Sequence, residues 1–311
     1  MTVDARTVEV SVGDLRLRSP LIVASGTWPH DPEAWKDPFS SGLGAACTKA
    51  ITAKPREGND GLRLFETPCG LLNSIGLQNN GIERFLSSEL PAIASGNLKV
   101  IANVAMETRC ETEAVLAGLS SSKEFVSSVE LNISCPNVDG GGMTWGSDPV
   151  QASRAVKIAR EKWEGPLWVK LTPQCNDIAE VAAAVEEAGA DAVVVANTWL
   201  GMAIDPNSES PAFRRIFAGL SGPAVFPLAL RLVWQASSAV RIPVIGCGGI
   251  SRTEDVLAMM LAGASAVEIG TLHFTDLGCF RRICVEILDH LKSKGYTSAM
   301  DLVGRGKKSA C

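Results

Sequence analysis

The sequence predicts an α/β protein of the (β/α)8 TIM-barrel class, with an N-terminal β-hairpin and long loops at the C-terminal face of the barrel. Three observations predict it. Eight short apolar, strand-like runs are spread along the chain, capped amphipathic helical runs lie between several of them, and polar residues gather where the apolar runs end. Strands that alternate with helices form parallel βαβ units, and eight such units can close into a barrel.

In chain order, residues 8–17 alternate on both sides of Gly13-Asp14 and read as a hairpin that caps one end of the domain. The strand runs are 21–24, 45–48, 100–103, 129–133, 167–171, 192–196, 244–246 and 266–269. Helical patterns cover 148–162, 178–187, 227–238, 253–261 and 279–294, with Asp148-Pro149 opening the first and Asp177 the second. An internal echo, 187–193 against 261–267, places Ala-Gly-Ala at a helix end with the next strand following at once. Residues 50–98 and 197–223, rich in Gly and Pro, are too long for simple barrel connections and leave the catalytic face, where loops of that length are functional. No linker or low-complexity tract interrupts residues 1–311, so one domain is expected.

Composition narrows the function. A chain of 311 residues, 46% hydrophobic, can bury a large core, and a net charge of -5 with both signs interspersed offers no basic stripe. Nucleic acid and membrane partners are therefore not expected, and small-molecule chemistry in the cytoplasm is. No apolar run reaches the roughly 18 residues of a membrane span, and Asp4, Arg6 and Glu9 interrupt any signal-like N-terminal core. The nine cysteines contain no C-x-x-C pair, so neither a metal cluster nor a disulfide framework is expected.

Chemistry concentrates at the strand ends. Ser25, Lys49, Asn103, Asn132, Cys135, Lys170, Asn197, Thr198, Gly248, Gly249, Gly270 and Thr271 are scattered in sequence but converge on one mouth if the barrel closes. Cys135 follows the fourth strand on a Gly-rich loop between Asn132 and Asn137, which presents a thiol between amides. A lysine inside the apolar strand Trp168-Val169-Lys170-Leu171 must face a charge or lose its own. Glycines after strands seven and eight, beside helix N-termini, form an anion nest of the kind barrels use for phosphate. Combined with Lys170 and the asparagines, this nest suggests a phosphorylated planar cofactor with polar edges, which FMN satisfies.

Over nearly its whole length the chain resembles the class 1B dihydroorotate dehydrogenases, catalytic subunit. The motifs that carry the resemblance are Ala24-Ser25-Gly26, 54–59 (KPREGN), Glu66-Thr67-Pro68, 72–79 (LNSIGLQN), 132–137 (NISCPN), 169–173 (VKLTP), Asn197-Thr198 with 201–205 (GMAID), and 219–224 (GLSGPA). The resemblance implies oxidation of dihydroorotate to orotate in de novo pyrimidine biosynthesis. It implies Cys135 as the base that takes the C5 proton while hydride passes from C6 to the flavin N5. It implies substrate binding by Lys49, Asn73, Ser74, Ile75, Gly76, Leu77, Asn132, Asn197 and Thr198. FMN binding is implied for Ser25, Lys49, Ala50, Asn103, Asn132, Lys170, Ala196, Gly222, Gly248, Gly249, Gly270 and Thr271, with Lys170 beside the N1 and O2 edge. It also implies electron transfer to NAD through an iron-sulfur flavoprotein partner carrying FAD and a [2Fe-2S] cluster, in an α2β2 heterotetramer with a homodimeric core.

The chain departs from the family pattern at Asp60-Gly61-Leu62, Trp28, Cys69, Trp199 and His273, none of which carries an implied chemical role. Rival readings are a fumarate-dependent class 1A enzyme, another dihydropyrimidine oxidoreductase, a Schiff-base aldolase using Lys170, and an inactive barrel serving as an interaction subunit. The loop 75–79, Ile-Gly-Leu-Gln-Asn, favours class 1B over class 1A.

Overall fold

The computed structural model describes residues 7–28, 42–96, 98–134 and 145–309. Two short strands, β1 (Val10–Val12) and β2 (Leu15–Leu17), form the expected hairpin around Gly13, whose φ of 59° suits the tight turn. The barrel strands are β3 (Leu21–Val23), β4 (Ala45–Cys47), β7 (Lys99–Ala105), β8 (Ser128–Asn132), β9 (Leu167–Lys170), β10 (Ala192–Val195), β15 (Val244–Cys247) and β16 (Ala264–Ile269). They pair in parallel in that order, and β16 closes back onto β3. All eight expected strand runs are barrel strands. Their apolar character follows from burial on two sides, against the barrel interior and against the helices.

The helices are α1 (Gly81–Arg84) and α2 (Leu90–Ala94), joined by one π-helical turn at Phe85–Glu89, then α3 (Arg109–Ser120), α4 (Pro149–Arg160), α5 (Ile178–Glu187), α6 (Phe226–Ala239), α7 (Thr253–Leu261), α8 (Thr271–Thr275) and α9 (Cys279–Lys294). The Asp148 carboxylate accepts from the Val150 and Gln151 amides at 2.9 and 3.0 Å, and Asp177 accepts from Ala179 at 2.8 Å, so both expected caps form. The sequence echo is a repeated helix stop. Gly189 and Gly263 follow the ends of α5 and α7 with φ of 104° and 117°, a backbone that a side chain would strain.

The two long segments are more ordered than the sequence implied. Residues of one pair with residues of the other in a four-stranded antiparallel sheet of order β11 (Trp199–Met202), β14 (Phe217–Ser221), β6 (Gly70–Asn73) and β5 (Leu64–Thr67). A separate small hairpin, β12 (Ile204–Asp205) with β13 (Ser210–Pro211), lies in the chain between β11 and β14. Leu72, Phe213 and Ala218 form the four-stranded sheet's own small core. This sheet escaped sequence reading because its strands are short and interrupted by glycine, and because its central pairing, β14 with β6, joins segments far apart in the chain, where no local pattern reports the partner.

Candidate active site

The closed barrel brings the scattered polar residues to the C-terminal mouth of its strands, in two layers. The lower layer lies buried inside the barrel. Lys170, at the end of β9, is 2% exposed, and Glu130 on β8 and Glu268 on β16 are 0% and 1% exposed. The Lys170 ammonium lies 2.5 Å from Glu268 Oε2, 3.4 Å from Glu130 Oε1 and 3.4 Å from Ser25 Oγ. Asn103 on β7 donates to Glu130 Oε1 at 2.5 Å, and the Cys47 thiol on β4 lies 3.5 Å from the same oxygen.

Burial alone would lower the Lys170 pKa, but Glu130 and then Glu268 outweigh it and hold the ammonium well above the ordinary lysine value. Lys170 is therefore a fixed cation. The expected dichotomy, a charge-facing lysine or a neutral one, resolves to the first, and this argues against a Schiff-base nucleophile, which needs a free amine. Burial, followed by the two carboxylates, raises the Cys47 thiol, and burial pushes Cys247 up to about 12, so both thiols beneath the mouth are inert.

The upper layer is built of amides. Asn132 Oδ1, at the end of β8, accepts from the Ser134 amide at 3.1 Å and its hydroxyl at 2.5 Å, and Asn197 Nδ2 approaches the same oxygen at 3.5 Å while also donating to Ser134 Oγ. The Thr198 amide donates to Asn197 Oδ1 at 2.8 Å, fixing the orientation of that side chain. From the accessory sheet, Asn73 Nδ2 donates to the Gly219 carbonyl at 3.0 Å, which places Asn73 beside Thr198. Half-buried Lys49, after β4, reaches Gln78 Oε1 at 3.4 Å. Its pKa is lowered, first by burial and then by the Arg63 guanidinium.

The loop after Asn73 is held from behind. Asn59 Nδ2 donates to Ser74 O at 3.3 Å and Ser74 Oγ at 3.0 Å, and an added Cβ at Gly76 would sit 2.4 Å from Asn59 Oδ1. With φ of 76° at Gly76 and 55° at Leu77, this loop keeps a backbone that glycine at 76 makes possible. The expected substrate residues Lys49, Asn73, Ser74, Ile75, Gly76, Leu77, Asn132, Asn197 and Thr198 thus come from four separate segments to one mouth.

Around the rim, Gly248 and Gly249 follow β15 with φ of 125° and 76°. A Cβ on Gly249 would lie 2.3 Å from the Phe226 nitrogen, and one on Gly248 would lie 3.2 Å from the Trp199 ring. Gly270 and Thr271 open α8, and the Thr271 hydroxyl donates to Ser221 Oγ at 2.8 Å, joining the end of β16 to the turn at Gly222. Ala50 and Ala196 are buried beside Lys49 and Asn197. Cys135 lies outside the described residues. Among the described residues, an added Cβ at Gly146 would lie 2.8 Å from the Ile133 carbonyl.

The dihydroorotate dehydrogenase family model matches residues 7–291. The chain belongs to the dihydroorotate dehydrogenase family. It is 43% identical over 285 residues, 92% of each chain, to a "Dihydroorotate dehydrogenase B (NAD(+)), catalytic subunit" from Thermoanaerobacter sp. (strain X514). It is 43% identical over 300 residues, 96% of this chain and 97% of the relative, to the protein of the same name from Parabacteroides distasonis. A dihydroorotate dehydrogenase from Eimeria tenella, solved with ferulenol, shares the fold with a TM-score of 0.79 at 21% identity, covering 96% of this chain and 88% of its own.

Among the departures from the family pattern, two are partners. Trp28 stacks on His273 with ring centroids 5.0 Å apart, and His273 in turn meets Phe280 at 5.4 Å. Asp60 meets Arg214 at 2.8 Å, tying its loop to the accessory sheet, and Trp199 covers Gly248. Sequence reasoning singled out neither Glu130 nor Glu268. Each is a lone carboxylate in an apolar strand, Val129-Glu130-Leu131 and Val267-Glu268-Ile269, the same signal that drew attention to Lys170.

Proposed function

We propose that the chain oxidises dihydroorotate to orotate in de novo pyrimidine biosynthesis as the FMN-bearing catalytic subunit of an NAD-linked enzyme. The observation that carries the reading is the mouth itself, where a fixed buried cation, a ring of oriented amides and a glycine rim converge in a member of this family. The residues present fit FMN. Asn103 Oδ1 is buried without a hydrogen-bond partner beneath the mouth, and positive-φ glycines leave the rim open where side chains would collide with Phe226 and Trp199.

Ser25, Lys49, Ala50, Asn103, Asn132, Lys170, Ala196, Gly222, Gly248, Gly249, Gly270 and Thr271 would hold the cofactor. When bound, FMN supplies a two-electron acceptor for the hydride at C6. Asn132, Asn197, Asn73 and Thr198 present donors and acceptors to the imide and carbonyl edges of the substrate ring, and Lys49 faces its negative charge. Lys170 supplies a preorganised cation that needs no reorganisation as negative charge develops. Cys135 takes the C5 proton. A free thiol has a pKa of about 8.5, so a local field or a water must help it to act near neutral pH.

Relatives named as NAD-linked catalytic subunits support the NAD route over the fumarate-dependent and other dihydropyrimidine readings. The electrons would leave through an iron-sulfur flavoprotein partner carrying FAD and [2Fe-2S], in an α2β2 heterotetramer. The test is Cys135→Ser followed by anaerobic stopped-flow. Flavin content should be retained and flavin reduction by dihydroorotate slowed strongly, since a hydroxyl is a far poorer base. Reduction at the rate of the unsubstituted protein would remove Cys135 from the mechanism.

A further inference from the structure

The family reading accounts for Lys170 but leaves unexplained why two carboxylates face one ammonium. Glu130 comes from β8, the strand next to Lys170, and Glu268 reaches across the barrel interior from β16, beyond β10 and β15; both are completely enclosed. Among the described residues, five side chains face them or their cation. Lys170 faces them from β9, Cys47 from β4, Asn103 from β7 and Cys247 from β15, with Ser25 after β3 on the far side of the ammonium. Of these, only Lys170 is a cation.

With both carboxylates ionised, the cluster would carry one uncompensated negative charge in a buried interior, an arrangement proteins avoid by taking up a proton. One oxygen of each carboxylate, Glu130 Oε2 and Glu268 Oε1, is buried with no hydrogen-bond partner. Oxygens of the two carboxylates and the Cys47 sulfur lie within 4.8 Å of one another, a grouping that could hold a metal ion, but the Lys170 ammonium already supplies the cation there. We propose that Glu130 and Glu268 share one proton, and that this proton keeps the cluster neutral so that Lys170 can stabilise the negative charge of a reduced flavin. Glu268 is thereby a positioning residue, acting through Lys170 and not on the substrate.

The proton resides on the Glu268 side. Lys170 is closer to Glu268, at 2.5 Å against 3.4 Å, yet Glu130 collects two further donors, Asn103 Nδ2 and the Cys47 thiol, which hold the anion there. The pKa directions agree: burial and then Glu130 raise Glu268 well above the ordinary carboxyl value, while for Glu130 burial is outweighed by Lys170, by the Glu268 carboxyl as a hydrogen-bond donor, and then by Asn103 and Cys47, so that its pKa is lowered. The consequence for the flavin rests on the FMN reading above; the shared proton does not.

Two measurements test the two parts. Infrared spectroscopy of the intact protein near neutral pH should show the C=O stretch of a buried protonated carboxyl. Glu268→Gln should abolish that band, because Glu130 then serves as the sole counter-ion of Lys170. Glu130→Gln should abolish it as well, because Glu268 must then ionise. A spectrum without the band, or a band that survives in both variants, overturns the shared proton. In the holoprotein, once pH is high enough for the oxidised protein to lose this proton, the flavin midpoint potential should fall more steeply with rising pH in the unsubstituted chain than in Glu268→Gln, because only the former takes the proton back on reduction. Equal slopes overturn the link to the flavin. A band in a preparation that binds no FMN would sink the FMN reading while leaving the shared proton standing.

Discussion

The two layers of the site solve the same problem, placing polar groups in a barrel mouth, in opposite ways. The lower layer is built around one buried ammonium and two buried carboxyl groups with few neutral partners. The upper layer is made of neutral amides and a hydroxyl that orient one another at the edge of solvent, with a single half-buried ammonium, Lys49. Charges in a buried interior are costly to leave unpaired, so the lower layer is coupled and intolerant of change. Neutral amides retain some of their hydrogen bonds when one member is lost, so the upper layer degrades gradually.

The largest effect that would sharpen this contrast is expected from Lys170→Met. It leaves Glu130 and Glu268 facing one another without a cation, and the loss of a buried partner costs about 3–5 kcal/mol. Thermal denaturation should show a strong drop that deepens as pH rises and the carboxyls are forced to ionise, together with loss of FMN retention. A variant with normal stability and flavin content would mean that the lower layer is not the charged keystone described above.

Asn132→Ala should be milder for folding and worse for turnover. It strips the shared acceptor from Ser134 and Asn197, a loss of about 1–3 kcal/mol. That corresponds to a fall of roughly fivefold to 150-fold in kcat/KM, with only a small change in Tm. A large loss of Tm with unchanged kcat/KM would reverse the assignment of the two layers.

The smallest effect is a pH dependence. The Lys49 cation is lost as pH rises through its pKa, and since burial and Arg63 lower that pKa, KM for an anionic substrate should begin to rise below the ordinary lysine range. Arg63→Gln removes the second cause and should move the rise to higher pH. A KM profile that ignores this substitution would separate Lys49 from substrate charge.

Much of this was legible in the sequence, and the reason differs by layer. The eight barrel strands and the helices α4 to α7 and α9 announce themselves through local apolar pattern and caps, because each strand is buried on both faces and each helix on one. The upper layer was legible through motifs, since Asn132, Asn197 and the loop 72–79 stand at strand ends or in a Gly-rich segment. The lower layer was read only by half. Lys170 stood out as a lone charge in an apolar strand, but Glu130 and Glu268 gain their meaning from a cation contributed by another strand, and pairing across a barrel has no one-dimensional trace. The accessory sheet was hidden for the same reason, as Asn73 and Gly219 meet only once the barrel has closed. The coupling of Trp28 to His273 likewise turns two separate oddities of the sequence into one contact.

The measurement that bears most directly on the central claim is the visible spectrum of the purified chain before and after anaerobic addition of dihydroorotate. A bound FMN spectrum that bleaches on addition is expected, which would join cofactor, substrate and half-reaction in one observation. A chain that carries no flavin, or whose flavin stays oxidised when dihydroorotate is added, would contradict it.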